Sequence, residues 1–436
     1  MELHRQQILM QRYDVLIIGA GVSGLNCALH LPSSCRVLAV CKGGLKESDS
    51  FLAQGGICVL RDAHDFDDYF NDTVNAGHGE NDPAAVRCMI ENSRATIEEL
   101  TSYGVRFERG ADGALLFTRE GGHGKPRIAF HADCTGKEIT SRLLARVKEQ
   151  KNVTLLPEAT MLDLMCEGGE CFGAVIRDNY SGQVYPVYAG ATVLATGGVG
   201  GLFRHSTNMR ILTGDGLAVA YRNGVVVDHA DYVQIHPTTL FHRGGGRRFL
   251  ISESVRGEGA KLLNKRGERF VDELLPRDRL TAAIFAQMKE EGSEFVRLDL
   301  RSVRGGAETL TRHFPGIVKR CREEGIDVMR EPVPVVPAQH YFMGGVRSDL
   351  FGRTTMPRLY AVGETCCNGV HGRNRLASNS LLEALIFARR AAEDIAKKGT
   401  PAKTGGKFCA EKYTNHKKLV REYRQAVKKE VRGDAQ

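Results

Sequence analysis

The stretch YDVLIIGAGVSGL, residues 13–25, decides the fold of this 436-residue chain. Its first part, Tyr13–Ile18, is apolar and β-branched and stops at a glycine, as a buried parallel strand does. The glycines that follow in the pattern G-x-G-x-x-G are Gly19, Gly21 and Gly24, and a helix opens directly after them. Such glycines allow a tight turn, a close approach of the backbone to a pyrophosphate, and close helix–strand packing. The stretch therefore predicts a dinucleotide site with the phosphates at the helix N-terminus.

The second strand of this unit indicates which dinucleotide is bound. Cys35–Val40 has the composition of that strand, and it is followed by Cys41 and Lys42. A nicotinamide site usually places Asp or Glu here, where the carboxylate holds the ribose hydroxyls. The sequence also has no second G-x-G-x-x-G unit for a nicotinamide reductant. We therefore expect FAD, with the electrons entering from the substrate.

Composition and charge exclude several classes of protein. The sequence has no run of about 18 apolar residues that would span a membrane, and its first twelve residues are too polar for a secretory signal peptide. Twelve cysteines without metal-type spacing indicate reduced thiols, so we expect a cytoplasmic protein with no metal site. Residues 399–436 carry ten Lys/Arg against four Asp/Glu, within a total net charge of +8. This predicts a basic helical tail with a solvated face, and nucleic acid is not an expected partner.

Motifs typical of a flavin fold occur in two separate parts of the chain. Val193–Gly198 (VLATGG) and Leu359–Glu364 (LYAVGE) each indicate a strand that ends in a glycine turn. The segment Thr213–Gly224 predicts a short helix closed by glycine. A longer helix is predicted over Asn379–Ile395, where Ser380 and a glutamate three residues later match a capping box.

The segment between these motifs predicts an inserted domain. It contains Gly/Arg loops, a hairpin around Asn264–Gly267, and helices near 279–291 and 306–324. The predicted fold is therefore α/β, a Rossmann-like FAD-binding domain with an inserted α+β capping domain and a short C-terminal helical tail. The predicted boundaries are 1–230 and 331–398 for the FAD-binding domain, 231–330 for the capping domain and 399–436 for the tail.

Two further motifs carry a resemblance to a known family. Ser48–Gly56 (SDSFLAQGG), after the G-x-G-x-x-G unit, resembles the fumarate reductase/succinate dehydrogenase flavoprotein superfamily. Thr118–His123 (TREGGH) is similar to a motif of the aspartate oxidases that the succinate enzymes lack. The resemblance covers roughly residues 10–396, and full-length aspartate oxidases continue into a C-terminal helical domain that is a stub here. Asp49 matches the histidine that bonds covalently to FAD in membrane-bound relatives, so the resemblance implies a non-covalent flavin.

The motif and the resemblance together imply which residues contact FAD. They are Gly19, Ala20, Gly21, Val22, Ser23, Gly24, Lys42, Ser50, Gln54, Gly55, Gly56, Asp215, Glu364, Ser380 and Leu381. The helix that begins at Asn379 would aim the positive end of its dipole at the N1/O2 edge of the flavin.

Oxidation of a small dicarboxylate needs cations for two carboxylates and a group that handles a proton. The resemblance assigns the carboxylates to His236, His340 and Arg375; arginine suits this because its planar fork binds a carboxylate bidentately. It assigns proton transfer to Arg277, with Glu253 and Arg256 as the relay that is best supported for fumarate reduction. Glu120, in TREGGH, is the candidate partner for the ammonium group of aspartate.

The resemblance thus implies FAD-dependent oxidation of L-aspartate to iminoaspartate, with O2 or fumarate as electron acceptor, in the first step of quinolinate and NAD biosynthesis. The implied ligands are L-aspartate, fumarate and succinate, and quinolinate synthase is a candidate partner because iminoaspartate is labile. One alternative is a soluble fumarate reductase or succinate dehydrogenase, against which TREGGH and Asp49 argue. The other is a flavin-binding module without dicarboxylate chemistry, such as a flavin-dependent RNA-modification scaffold.

Overall fold

The computed structural model describes residues 2–244, 246–399, 405–406 and 408–432. The α-helices are α1 (Glu2–Leu9), α2 (Val22–His30), α3 (Phe66–Ala76), α4 (Pro83–Glu91), α5 (Ser93–Ser102), α6 (Thr135–Glu149), α7 (Asp215–Arg222), α8 (Glu253–Gly257), α9 (Arg277–Glu291), α10 (Gly306–His313), α11 (Pro315–Glu323), α12 (Asn379–Lys398) and α13 (His416–Arg432). None of the helices in these ranges combines the length and the apolar composition that a bilayer crossing requires.

The strands form four sheets. They are β1 (Tyr13–Ile18), β2 (Val37–Val40), β3 (Gly56–Cys58), β4 (Phe117–Thr118), β5 (Ile128–Phe130), β6 (Val153–Leu156), β7 (Ala159–Glu167), β8 (Glu170–Asp178), β9 (Val184–Leu194), β10 (Val227–Asp228), β11 (Val233–Leu240), β12 (Lys261–Leu263), β13 (Val296–Asp299), β14 (Val333–Phe342), β15 (Gly345–Arg347), β16 (Leu359–Ala361) and β17 (Cys366–Cys367). The two three-stranded sheets have the orders β3-β5-β4 and β10-β15-β17.

The largest sheet has seven strands in the order β6-β2-β1-β9-β8-β7, and β16 also pairs with β9. Strand β1 lies between β2 and β9 and is parallel to both. Strand β9 is long enough to pair in two ways: Ala189–Leu194 runs parallel to β1, whereas Val184–Tyr188 runs antiparallel to β8. The sheet therefore joins a parallel, Rossmann-like half to an antiparallel meander of β7, β8 and β9.

Strand β1 is apolar throughout because both faces of the sheet are covered. Val15 and Ile17 are fully buried in one core, together with residues of α2, α6 and α12. Leu16 and Ile18 point the other way, into a second core with residues of β7, α7 and α13. A parallel strand buried on both sides gives a continuous apolar run instead of an alternating one, so the predicted strand is confirmed.

The turn between β1 and α2 has the predicted glycine geometry. Gly19 has a φ of +119°, and a Cβ there would lie 2.0 Å from the carbonyl oxygen of Ala195. A Cβ on Gly24 would lie 2.0 Å from the carbonyl oxygen of Gly19, so this glycine permits close helix–strand packing. The helix begins at Val22, three residues before its predicted start, because Gly21 is the N-cap residue.

A smaller unit covers one side of the cavity described below. Its sheet is antiparallel, in the order β11-β14-β13-β12, and α9, α10 and α11 share a third core with it. The hairpin predicted around Asn264–Gly267 is present, with Leu263 paired to Arg269. The single helix predicted near 306–324 is wrong: the chain forms α10 and α11, divided at Phe314. Pro315 is the first residue of α11, because a proline cannot donate the backbone hydrogen bond that a continuous helix requires. Strand β14 of this sheet extends to Phe342, and the predicted domain boundaries stay a prediction.

Helix α12 begins at the predicted residue, but the predicted capping box is wrong. The N-cap residue is Ser378, with a φ of +61°, and its side chain makes no capping hydrogen bond. Ser380 Oγ accepts a hydrogen bond from Arg375, and Glu383 Oε1 accepts one from Asn368. Both side chains are therefore engaged by residues from outside the helix, and neither is available for the helix terminus.

The tail helix α13 packs on the body of the protein. Leu419, Tyr423, Val427 and Val431 recur at helical spacing and are buried in the second core, against α7 and β7. The exposed face carries the basic side chains of Lys417, Lys418, Arg421, Arg424, Lys428 and Lys429. The predicted linker Pro401–Gly406 lies outside the described residues except for its last two.

Candidate active site

A large cavity extends from the carboxyl end of β1 to the capping unit. All of the residues predicted to contact FAD line it except Gly24, which packs behind the turn. The predicted substrate residues Glu120, His236, His340 and Arg375 line the same cavity, together with Arg277 and Glu253. Arg256 does not reach the cavity and lies behind Glu253. The structure therefore brings residues from distant parts of the chain around one space.

The part of the cavity next to the glycine turn fits a dinucleotide. The glycine turn after β1 lines this part of the cavity, and Gly19 is required there because a Cβ would lie 2.0 Å from the carbonyl oxygen of Ala195. Ser48 Oγ, Asp49 Oδ2 and Gln54 Oε1 line the cavity and have no hydrogen-bond partner among the described residues, although they are buried. Buried polar atoms without partners cost about 1–3 kcal/mol each. The polar edges of FAD would supply the missing partners.

Lys42 and Asp215 form one polar wall of this cavity. The ammonium Nζ of Lys42 lies 2.7 Å from Asp215 Oδ2 and also donates to Thr213 Oγ1 and to the carbonyl oxygen of Ile211. The two charges therefore compensate each other, and the pair offers hydrogen-bonding groups without a net charge.

Asp49, which the resemblance matches to the flavin-bonding histidine of covalent relatives, lines the same cavity. Its Oδ1 accepts a hydrogen bond of 2.8 Å from the backbone N–H of Met209, and burial raises its carboxyl pKa to about 7. A carboxylate has no nucleophilic imidazole, so this side chain fits a flavin that is bound without a covalent bond. Arg247, which the sequence analysis did not identify, lines the cavity near Asp49 and counteracts part of the rise in pKa.

Two arginines converge on Gln234 at the capping end of the cavity. The side-chain oxygen Oε1 of Gln234 accepts hydrogen bonds from Arg277 at 2.6 Å and from Arg375 at 3.2 and 3.3 Å. Gln234 was not predicted, although it lies two residues before His236 and so shares its side of the strand. A neutral amide thus holds two like charges close together.

Arg375 has no carboxylate partner within 4 Å in the described part of the chain. Its guanidinium is buried, donates to Ser380 Oγ at 2.6 Å and stacks 4.3 Å from the ring centre of Tyr341. Burial, followed by repulsion from Arg277, lowers its pKa to about 10, so it is still a cation at neutral pH. A buried cation without a counter-ion favours an anionic ligand.

The two histidines assigned to the substrate carboxylates are neutral, so they do not supply the positive charge that was expected from them. Burial, followed by the charge of Arg277, places the pKa values of His236 and His340 well below the usual range. Nδ1 of His236 lies 3.2 Å from the backbone nitrogen of Thr238 and 3.1 Å from its carbonyl oxygen, so it can accept or donate, and Nε2 takes the complementary role. That Nε2 is buried without a partner among the described residues. His340 shares a hydrogen bond of 2.7 Å with Thr207. These histidines can therefore supply hydrogen bonds, while the arginines supply the charge.

Helix α8 carries two of the predicted proton-transfer residues. Glu253 Oε2 lies 2.7 Å from Nε of Arg277, and Oε1 lies 3.4 Å from Arg256. Burial alone would raise the pKa of Glu253, but the charges of Arg277 and Arg256 lower it by a larger amount. The pKa therefore lies below its usual value, and the carboxyl group is ionised at neutral pH. The three side chains form a continuous row from the cavity into the protein.

Glu120 is the carboxylate that the sequence analysis placed near the substrate amine. Its Oε1 accepts a hydrogen bond of 2.7 Å from Ser254, and its Oε2 accepts one of 2.6 Å from Ser378. Burial, followed by repulsion from Glu253, raises its pKa, while the two hydroxyl groups and Arg277 oppose the rise. The serines were not predicted, because a lone serine in a loop has no distinctive sequence signal.

Known proteins resemble this chain over most of its length. The family model of an FAD binding domain matches residues 14–381. An L-aspartate oxidase of Clostridium perfringens is 49% identical over 88% of this chain and 86% of its own. An L-aspartate oxidase of Clostridium acetobutylicum is 44% identical, over 88% of this chain and 87% of its own.

Solved structures agree with these matches. E. coli quinol fumarate reductase FrdA superposes with a TM-score of 0.85 at 30% identity, covering 96% of this chain and 74% of its own. A flavocytochrome c3 fumarate reductase gives a TM-score of 0.70 at 26% identity, covering 92% and 81%. The predicted FAD cofactor and the predicted α/β fold with a capping domain are thereby confirmed. The chain belongs to the FAD-binding flavoprotein family and, within it, to the L-aspartate oxidases.

Proposed function

We propose that this protein oxidises L-aspartate to iminoaspartate with bound FAD. The observation that carries the proposal is the composition of the substrate end of the cavity. Buried Arg375 has no carboxylate partner among the described residues, whereas Glu120 lies in the same cavity with both oxygens oriented. An anionic molecule with one ammonium group satisfies both features, and a dicarboxylate without an amine satisfies only the first.

The carboxylates of the substrate bind to Arg375, His236 and His340 in this proposal. The arginine offers a planar pair of donors, and each histidine offers one N–H. The histidines are neutral in the structure. The negative charge of a bound carboxylate would raise their pKa values and strengthen the hydrogen bonds that they donate. The ammonium group binds to Glu120, whose charge offsets the repulsion from the arginines.

In this proposal Arg277 transfers protons in a second reaction, the reduction of fumarate. Its Nε faces Glu253, which is also paired with Arg256, so a proton lost from the guanidinium is replaced from the protein interior. An arginine is a poor acid in water, with a pKa above about 12.

FAD held by the residues that line the cavity would supply the acceptor for the hydride of the substrate α-carbon, and O2 or fumarate would be the final electron acceptor. The residues of this chain hold the α-carbon in place and exclude water around it. We further propose that succinate and fumarate bind to the same cationic groups, and that quinolinate synthase receives the labile product. This reaction is the first step of quinolinate and NAD biosynthesis.

Anaerobic titration tests the proposed function. One sample of the oxidised protein is mixed with L-aspartate and a second sample with succinate, and the flavin absorption band is recorded in each. We expect aspartate to bleach the band and succinate to perturb it without full reduction. Bleaching by succinate alone would indicate a succinate dehydrogenase, and no change with either would indicate a flavin-binding module.

A further inference from the structure

We infer that Ser254 is a positioning residue for amine recognition: its hydroxyl group holds the carboxylate of Glu120 oriented and ionised for the substrate ammonium group. The inference rests on the proposed role of Glu120 and adds the residue that makes this role possible. Ser254 itself is not among the residues that line the cavity.

The hydrogen bonds around Ser254 give its hydroxyl group one direction. Ser254 Oγ lies 2.7 Å from Glu120 Oε1 and 3.2 Å from Oγ of Ser252, which donates to it. A serine hydroxyl has one proton. Because Ser254 accepts from Ser252, its own proton is directed to Glu120. Ser378 donates to the other oxygen, so each carboxylate oxygen has one fixed partner and keeps a lone pair for the ligand.

The charges around Glu120 explain why a donor is needed. The titratable groups that face it are Glu253, Arg256, Arg277, Arg375 and Cys58. Burial has the largest effect on the pKa of Glu120 and raises it, and the charge of Glu253 raises it further. A hydrogen bond to the charged form favours that form. Without the hydroxyl of Ser254, a larger fraction of the Glu120 side chains is protonated. A neutral carboxyl group attracts an ammonium ion only weakly.

The position of Ser254 also links two functions. It directly follows Glu253 on helix α8, so neighbouring side chains of one short helix contact the proton-transfer arginine and the amine-recognising carboxylate. The charge of Glu253 repels that of Glu120 and raises its pKa. The hydroxyl of Ser254 compensates that repulsion without adding a positive charge that would repel the substrate amine.

The test compares Ser254→Ala, Ser254→Thr and Glu120→Gln in the FAD-loaded full chain. We expect Ser254→Ala to lower kcat/KM for L-aspartate roughly tenfold, the effect of one lost charge-assisted hydrogen bond, mainly through KM. The acid limb of its pH profile should move to higher pH, because a carboxyl group with a raised pKa loses its charge earlier as the pH falls. Ser254→Thr keeps the hydroxyl group. Its kcat/KM for L-aspartate should lie within about threefold of that of the unsubstituted protein, and the acid limb of its pH profile should return to its original position. Fumarate reduction should stay within about twofold in all Ser254 variants.

The double variant Glu120→Gln/Ser254→Ala separates positioning from general damage. If Ser254 acts through Glu120, the second substitution adds no further loss of aspartate oxidation to Glu120→Gln. An unchanged pH profile in Ser254→Ala, or an equal loss in both backgrounds, would overturn the inference and leave the role of Glu120 intact. Unchanged aspartate oxidation in Glu120→Gln would overturn the proposed role of Glu120, and this inference with it. If Ser254→Ala does not fold, Ser254→Cys, which has similar size but a weak donor, provides the same comparison.

Discussion

At the residue scale, the substrate end of the cavity combines positive charge with a single well-oriented carboxylate. Arg277 and Arg375 share the amide oxygen of Gln234, and only Arg277 has a carboxylate partner within the described ranges. Holding two guanidinium groups together costs free energy that an anionic ligand recovers on binding. The residues are therefore arranged for a ligand before it arrives.

Replacement of Glu120 by glutamine tests the amine-binding role. The change keeps the shape of the side chain and removes its charge, so the ammonium group of aspartate loses its partner. We expect aspartate oxidation to collapse while fumarate reduction, which involves no ammonium group, stays within a few-fold. Steady-state kinetics with both substrates measures this. An equal loss of both activities would make Glu120 a structural or general catalytic residue.

Replacement of Arg375 by leucine tests the carboxylate-binding role. Aspartate and fumarate both carry carboxylates, so KM should rise for both. Loss of a charge-assisted hydrogen bond costs about 1.5–3 kcal/mol, or roughly tenfold to a hundredfold in KM. Arg373→Leu is the matched control, because that arginine is exposed and does not line the cavity. A KM that is unchanged for both substrates would remove Arg375 from the site.

At the element scale, three helix starts define the cavity. Helix α2 begins beside the glycine turn, α8 carries Glu253 and Ser254, and α12 begins next to Ser378. The N-cap residue differs in each case. It is a glycine in α2, a serine whose side chain caps the helix in α8, and a serine with a positive φ in α12. The site therefore depends on backbone geometry as much as on side chains.

Substitution of Gly24 by alanine tests the packing of α2 on β1. The added Cβ would lie 2.0 Å from the carbonyl oxygen of Gly19, so the helix must move away from the turn that is predicted to hold FAD. We expect less bound FAD per protein and a loss of stability of about 1–3 kcal/mol. Gly124→Ala is the control, because its nearest neighbour would be 3.5 Å away. Absorbance after gel filtration and thermal unfolding measure both effects. Full FAD content in Gly24→Ala would contradict the packing argument.

At the scale of the whole molecule, the described residues form three hydrophobic cores, and the candidate site is lined by residues from both the main sheet region and the capping unit. Two cores cover the faces of the main sheet, and the third fills the capping unit. Arg277 belongs to the capping unit, whereas Arg375 belongs to the FAD-binding part. The Gln234 amide joins them, so the relative position of the two units determines the spacing of the substrate-binding charges.

The tail helix α13 is part of this assembly, and substitution of Tyr423 tests its contribution. The ring is buried in the second core, and its hydroxyl donates to the carbonyl oxygen of Leu162. Tyr423→Ala should therefore lower the free energy of unfolding by about 3 kcal/mol or more. The neighbouring Arg424 is exposed, and Arg424→Ala should change it by less than about 0.5 kcal/mol. Denaturant unfolding measures both variants. Equal stability of the two would mean that the tail packs only loosely.

The amino-acid sequence by itself determined the strand–turn–helix unit around Gly19, the FAD cofactor and the candidate charges of the site. These features depend on local periodicity, on the conformational freedom of glycine and on short motifs, so they can be identified without knowledge of the fold. The sequence also predicted the start of α12 correctly.

Only the tertiary structure decided how the predicted residues are used. The capping box failed because Ser380 and Glu383 bind partners from other segments instead of their own helix terminus. The neutrality of His236 depends on burial beside Arg277, and the two serine contacts of Glu120 join residues more than a hundred positions apart. Desolvation and hydrogen bonds between distant segments depend on three-dimensional proximity, and they leave no periodic signal in the chain.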